Sequence, residues 1–210
     1  MPLEVEVKFK LRDEKEYEEN LKKLGAKYGV DIIHTDTYYK LPKGLRDFAK
    51  TDEALRLRKI EEYDNRITET TQHKFSADLT YKGPKLDKET KTRKELVTRV
   101  GDPDNMHLIL QSLDFRPIIT LTKYRRFYSL EKDGFHIEVL IDKIEHLDGY
   151  YSELEIIAST DDEMTKGKTA IFEIMNKLEY SKSDSILTSY LELVILALIE
   201  KGELKQEDIA

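Results

Sequence analysis

The sequence predicts an α+β fold dominated by a largely antiparallel sheet and organised as one domain over residues 1–210. Three observations carry this. Eight stretches read as strands, most of them alternating apolar and polar residues, against four helical segments. The connections between strands are mostly too short for repeated crossover helices. Finally, 210 residues with 39% hydrophobic and 37% charged side chains are enough for one substantial core, and too rich in Ile, Leu and aromatics for a disordered chain.

Residues 3–11, LEVEVKFKL, open as a strand with Leu3, Val5, Val7, Phe9 and Leu11 on one face and Glu4, Glu6, Lys8 and Lys10 on the other. Asp13 and Glu16 form a capping-box pattern, Tyr17, Leu21 and Leu24 recur at helical spacing, and Gly25 supplies a stop. Further strands are predicted at 28–40, 53–61, 77–83, 92–100, 117–130, 134–142 and 150–158. Gly101, Asp102 and Pro103 open a helix through Leu113, and two more helices follow at 161–179 and 184–200. The last of these contains LELVILALIE, apolar nearly all round, which places it either inside the fold or at a subunit contact; a homodimer is the favoured expectation. Residues 61–76 read as an elongated hairpin or loop. Residues 83–92 read as a mobile basic loop whose Lys85, Lys88 and Lys91 are placed to close over a site.

Composition narrows the function. No run approaches the roughly 18 apolar residues of a membrane span, and MPLEVEVKFK lacks the apolar core of a signal peptide, so a cytoplasmic protein with no membrane partner is expected. The absence of Cys excludes disulfides, thiolate nucleophiles and zinc–thiolate sites, leaving oxygen or imidazole ligands and hence hard metals. Net charge −7, from 42 acidic and 35 basic residues, argues against a nucleic-acid partner. The five histidines, His34, His73, His107, His136 and His146, show no metal-ligand spacing, and no nucleophilic triad is visible.

The strands carry charges on alternate positions with an unusual mixture of signs. Arg56 and Arg58 share a face, as do Thr80 and Lys82, Arg93 and Glu95, Lys123 and Arg125, His136 with Glu138 and Asp142, and Glu153 and Glu155. One such strand is ordinarily a solvated sheet face. Together, Glu4, Glu6, Asp142, Glu153 and Glu155 make a potential cluster in which each carboxylate pair at about 5 Å repels by about 3 kcal/mol at an effective dielectric near 20. A divalent cation or interleaved Lys and Arg would neutralise it. A sheet closing on itself would place this face inside a barrel, forming a polar tunnel with the apolar face packed against helices.

The opening Glu4-Val-Glu6-Val-Lys8 resembles the ExExK signature of the CYTH proteins, or triphosphate tunnel metalloenzymes. The resemblance continues through LGA at 24–26, DTYY at 36–39, TDEALRLR at 51–58, LTYKGPKLD at 79–87, TKTRKEL at 90–96, KYRR at 123–126, Asp142, Glu153 and Glu155, and SYLEL at 189–193. ExExK alone is a weak motif; the ordered set is specific, and it is most similar to the class IV adenylate cyclase-like branch. The resemblance implies an eight-stranded antiparallel closed barrel with flanking helices, a triphosphate-containing small molecule bound inside it, and Mg²⁺ or Mn²⁺ as cofactor.

The chemistry of the residues agrees. A triphosphate carries about four negative charges, and its transfer is accelerated mainly by positioning and charge neutralisation. Lys8, Arg56, Arg58, Lys82, Arg93, Lys123 and Arg125 are expected to bind it, the arginines in forked geometry. Glu4, Glu6, Asp142, Glu153 and Glu155 are the expected metal ligands, with Glu6, Glu153 and Glu155 on a first ion and Glu4 and Asp142 available to a second. Lys8, Glu4 and Asp142 are the expected catalytic residues, Asp36 a secondary one, and Glu138 suits a tunnel salt bridge. Three functions compete: hydrolysis of inorganic or nucleoside triphosphate, which leads; cyclisation of ATP by a class IV adenylate cyclase; and non-catalytic binding of polyphosphate or nucleotide. The retained acids argue against the third, because anion binding needs only the bases.

Overall fold

The structure, a computed structural model, describes residues 3–64, 73–86 and 93–205. Its strands are β1 (Leu3–Lys10), β2 (Lys27–Lys40), β3 (Ala54–Tyr63), β4 (His73–Lys85), β5 (Arg93–Arg99), β6 (Arg116–Lys132), β7 (Phe135–Ile144) and β8 (Tyr151–Ala158). The helices are α1 (Glu14–Lys23), α2 (Phe48–Thr51), α3 (Pro103–Ser112), α4 (Asp161–Lys177) and α5 (Tyr190–Glu200). All eight strands pair antiparallel and close in the order β1-β5-β4-β3-β2-β6-β7-β8. The α+β barrel expected from the sequence is therefore present. Among the described residues, no helix is long and apolar enough to cross a membrane.

Closure follows from two-residue periodicity. Val5, Val7 and Phe9 point outward into a core with Ile137, Val139, Ile141, Leu154 and Ile156, which α4 covers with Ile171, Ile174 and Met175 and α1 with Tyr17 and Leu21. Burying an aliphatic side chain contributes about 1.5–3 kcal/mol, so this outer face fixes the strand register and the polar residues are left facing in. A bulge in β2 between Tyr28 and Asp31 accommodates the bend; a side chain on Gly29 there would stand 2.5 Å from the Phe127 ring. Asp13, Asp102 and Thr160 cap α1, α3 and α4 through their side-chain oxygens.

Two expectations change. The helix expected at 184–200 begins at Tyr190, because residues 185–186 run extended beside β1, with Ile186 N donating to Lys8 O at 2.7 Å, and the Ser189/Glu192 capping box sets the start. The elongated hairpin expected over 61–76 is present where that stretch is described, with β3 and β4 pairing antiparallel from Glu61–Phe75 to Tyr63–His73; residues 65–72 lie outside the described part. Lys85 belongs to β4 and pairs with Asp52 at 2.7 Å, while Lys88 and Lys91 lie outside the described residues. The short α2, with Asp47 as its cap, had no periodicity to announce it.

Candidate active site

Register decides which charges meet. Glu6 stands opposite Glu155 and Lys8 opposite Glu153 across β1 and β8; Arg125 is opposite Asp142, Asp36 opposite Arg58, and Lys82 opposite Glu95. The inward side chains line a cavity of about 550 Å³. Its floor is Glu4, Glu6, Glu153, Glu155, Asp36, Arg56, Arg58, Lys82, Arg93, Glu95, Lys123 and Arg125. Its mouth is formed by residues 41–53 and by the first turns of α5, with Phe48, Leu191 and Ile195 among the lining.

The acidic part brings together Glu4, Glu6 and Glu155, whose carboxylate oxygens lie within 4.8 Å of one another. Burial, then the Glu4 charge, pushes the Glu155 carboxyl well above the ordinary range. Burial also raises Glu4, partly offset by Lys82. Three hard carboxylates converging on one point fit a divalent cation of the Mg²⁺ or Mn²⁺ type. Of the five expected ligands, Asp142 and Glu153 fall outside this group of three, Glu153 still lining the same cavity: Arg125 donates from Nε to Asp142 Oδ1 and from Nη2 to Asp142 Oδ2, both at 2.7 Å, and Nη2 also donates to Glu153. Their oxygens face a guanidinium, whose fork matches two carboxylates at once.

The basic part is held from behind. Asp36 accepts from Arg58 Nε at 2.6 Å and Nη2 at 2.7 Å, with Arg56 Nη1 at 3.9 Å. Burial would raise the Asp36 carboxyl, but Arg58 and Arg56 outweigh it and hold the group below the carboxylate range. Lys123 lies 3.6 Å from Asp142 and 3.8 Å from Glu153; burial and then Arg125 bring its ammonium down to about 8. Lys82 pairs with Glu95. Arg93 donates to Gly83 O at 3.2 Å and approaches Asp52, tying the cavity to the segment that ends α2.

Two expected residues stand behind the cavity wall. Lys8 is 1% exposed; its ammonium donates to Thr188 O and sits 4.1 Å from the centre of the Tyr190 ring. Asp142, at 0% exposure, accepts from Tyr190 Oη at 3.0 Å as well as from Arg125. Glu138 faces inward opposite Glu155. Arg126, part of the KYRR motif, points outward to Glu14 and Glu18 of α1.

Three features were missed. Tyr190 was visible only as part of SYLEL. His34 shares the inward parity of Asp36; it is buried, its Nδ1 has no hydrogen-bond partner, and burial with Arg58 and Lys123 keeps it neutral. The mouth segment 41–53 carries no periodic signal. Its Arg46 donates to both Glu53 oxygens at 2.9 Å, and Tyr81 Oη donates to the same carboxylate.

Comparison with known proteins agrees with this architecture. Residues 2–190 match the CYTH domain. A protein of Methanocaldococcus jannaschii that carries a provisional adenylate cyclase name is 38% identical over 192 residues, covering 91% of this chain and 98% of its own. The solved structure of the PH1819 protein from Pyrococcus horikoshii superposes with a TM-score of 0.77 at 32% identity, over 94% of this chain and 99% of that one. The PH1012 protein of the same organism gives 0.69 at 26%, over 91% and 99%.

Proposed function

The chain belongs to the CYTH domain family, and from that premise we propose that it is a divalent-metal-dependent enzyme that hydrolyses a triphosphate inside its barrel. The observation that carries the reading is that two sets of groups line one cavity: the Glu4, Glu6 and Glu155 cluster, and the bases Arg56, Arg58, Lys82, Arg93, Lys123 and Arg125 around it. A site that merely held an anion would gain nothing from three converging carboxylates, which repel it.

Glu4, Glu6 and Glu155 would hold Mg²⁺ or Mn²⁺, and the ion would supply positive charge against the phosphate oxygens and the attacking oxygen. The chain's own residues do the rest. Arg56 and Arg58 bind phosphate oxygens, and Arg58 is already set by its two-point contact with Asp36, so little reorganisation accompanies binding. Lys123, with its ammonium brought down to about 8, holds or releases a proton at Nζ near neutral pH. Lys8 and Asp142 act one layer back, orienting the wall instead of touching substrate.

A second reading, cyclisation of ATP to cyclic AMP and pyrophosphate, is favoured by the cavity's size. About 550 Å³ exceeds what a bare triphosphate fills, and the mouth adds apolar lining from Phe48, Leu191 and Ile195. Hydrolysis leads because it asks only for what the floor supplies, whereas cyclisation also requires a ribose hydroxyl held in line. Chromatography of reactions containing ATP or inorganic triphosphate with Mg²⁺ or Mn²⁺ separates them. Pyrophosphate plus phosphate from inorganic triphosphate is expected; cyclic AMP from ATP with inert inorganic triphosphate would make the cyclase reading correct.

A further inference from the structure

We propose that Tyr190 is a positioning residue of the tunnel, its ring holding the Lys8 ammonium out of the cavity and its hydroxyl keeping Lys123 facing into it. The proposal builds on the triphosphate reading but has a test of its own.

The geometry converges on one side chain. Tyr190 is the first residue of α5, and its ring has two cations over it, Lys8 Nζ at 4.1 Å and Lys123 Nζ at 5.4 Å from the centre. A desolvated ammonium must be compensated by acceptors or by a ring face, and Lys8 receives both from adjoining residues, the Thr188 carbonyl and the Tyr190 ring. The hydroxyl donates at 3.0 Å to Asp142 Oδ2, the oxygen that accepts from Arg125 Nη2 at 2.7 Å and lies 3.6 Å from Lys123 Nζ. Three donors thus crowd one carboxylate oxygen. With the hydroxyl in place, Lys123 is kept at ion-pair distance and remains part of the cavity lining. Without it, the oxygen regains an open acceptor position and draws the ammonium in.

Tyr190 is itself firmly fixed. The Tyr151 ring packs edge-on at 5.6 Å, Val194 and Leu198 bury the helix that follows, and the Ser189/Glu192 capping box fixes where that helix begins. Residues 188–190 are therefore part of the site's wall, contributed by the far end of the chain to the inward residues of β1, β6 and β7.

The test uses the full chain with Tyr190→Phe, which keeps the ring, and Tyr190→Leu, which removes it. Three readouts apply: acetic anhydride labelling of individual lysines read by mass spectrometry, calorimetric binding of inorganic triphosphate, and calorimetric binding of Mn²⁺. Lys8 labelling is expected to rise at least tenfold in Tyr190→Leu and to stay near wild type in Tyr190→Phe. The triphosphate Kd is expected to rise about fivefold or more in Tyr190→Phe as Lys123 turns to Asp142, while Mn²⁺ affinity, set by the untouched Glu4, Glu6 and Glu155, holds. Unchanged Lys8 labelling in Tyr190→Leu would overturn the ring's role. An unchanged triphosphate Kd in Tyr190→Phe, or parallel loss of both affinities with a lowered Tm, would overturn the hydroxyl's. Wild-type protein that binds no inorganic triphosphate would remove the functional reading, and Lys8 labelling would still decide the ring's role.

Discussion

Arg125 meets Asp142 edge to edge, with two hydrogen bonds of 2.7 Å to a carboxylate wholly removed from solvent. Breaking such a buried pair by neutralising one partner costs about 3–5 kcal/mol, because the other charge is left uncompensated. Asp142→Asn is expected near the lower end, about 3 kcal/mol, since Glu153 still accepts from the guanidinium. Urea unfolding measures this, and Mn²⁺ titration of the same variant should be close to wild type. A large loss of Mn²⁺ affinity with an unshifted urea midpoint would make Asp142 a ligand instead.

The neighbouring arginines should separate by stability. Arg56→Ala and Arg58→Ala each remove charge-assisted contacts of about 1.5–3 kcal/mol, so kcat/KM for triphosphate should fall at least tenfold in both. Arg58→Ala alone should also lower Tm substantially, because it strips Asp36 of its two-point partner and leaves Arg56 at 3.9 Å. Normal kinetics in both variants would remove these side chains from the binding wall.

The fold was legible because alternation in β1 is strict, recurs less strictly in most of the other strands, and leaves apolar residues to pack under the helices. Parity alone sorts Val5 and Val7 from Glu4 and Glu6. Parity does not say which inward charges pair: Glu153 and Glu155 share a face two residues apart, yet Glu153 accepts from Arg125 Nη2 while Glu155 groups with Glu4 and Glu6 and stands 4.0 Å from Arg125 Nη1. Lys8 is expected as a phosphate ligand from its sign and parity, and the structure also sets its ammonium against the Thr188 carbonyl and the Tyr190 ring, about 180 positions away. Nothing local encodes that contact. The mouth was illegible for a different reason, since 41–53 is shaped by side-chain latches such as Arg46 on Glu53 and not by periodicity.

Assembly should be probed at Leu196. Val194 and Leu198 are buried within the chain against Tyr38, Leu121 and Ile144, so charge there would unfold the helix instead of splitting a dimer. Leu196 is 54% exposed. If α5 forms a subunit contact, light scattering should show a dimer for the wild type and a monomer for Leu196→Glu, with equal Tm at low concentration. A wild-type monomer at high concentration would reject the contact.

The acidic cluster predicts a pH dependence of opposite sign to that of Asp36. The Asp36 carboxyl lies below its ordinary value, so its contribution is complete above about pH 4 and is lost as pH falls through the depressed value. Glu155 and Glu4 are raised, chiefly by burial, so the folded state favours their protonated forms. The stability this confers is complete below about pH 4 and is lost as pH rises through the raised values. In chelator, Tm should therefore decline from about pH 5 upward. A divalent cation binds the ionised cluster and stabilises by mass action, so the Tm gain from Mn²⁺ should grow over the same window and be nearly absent at about pH 5. Glu155→Gln removes the burdened charge: it should raise Tm in chelator at neutral pH, flatten the decline and abolish most of the Mn²⁺ gain. A Mn²⁺ gain that is equal at acid and neutral pH, or that survives Glu155→Gln undiminished, would place the ion somewhere other than this cluster.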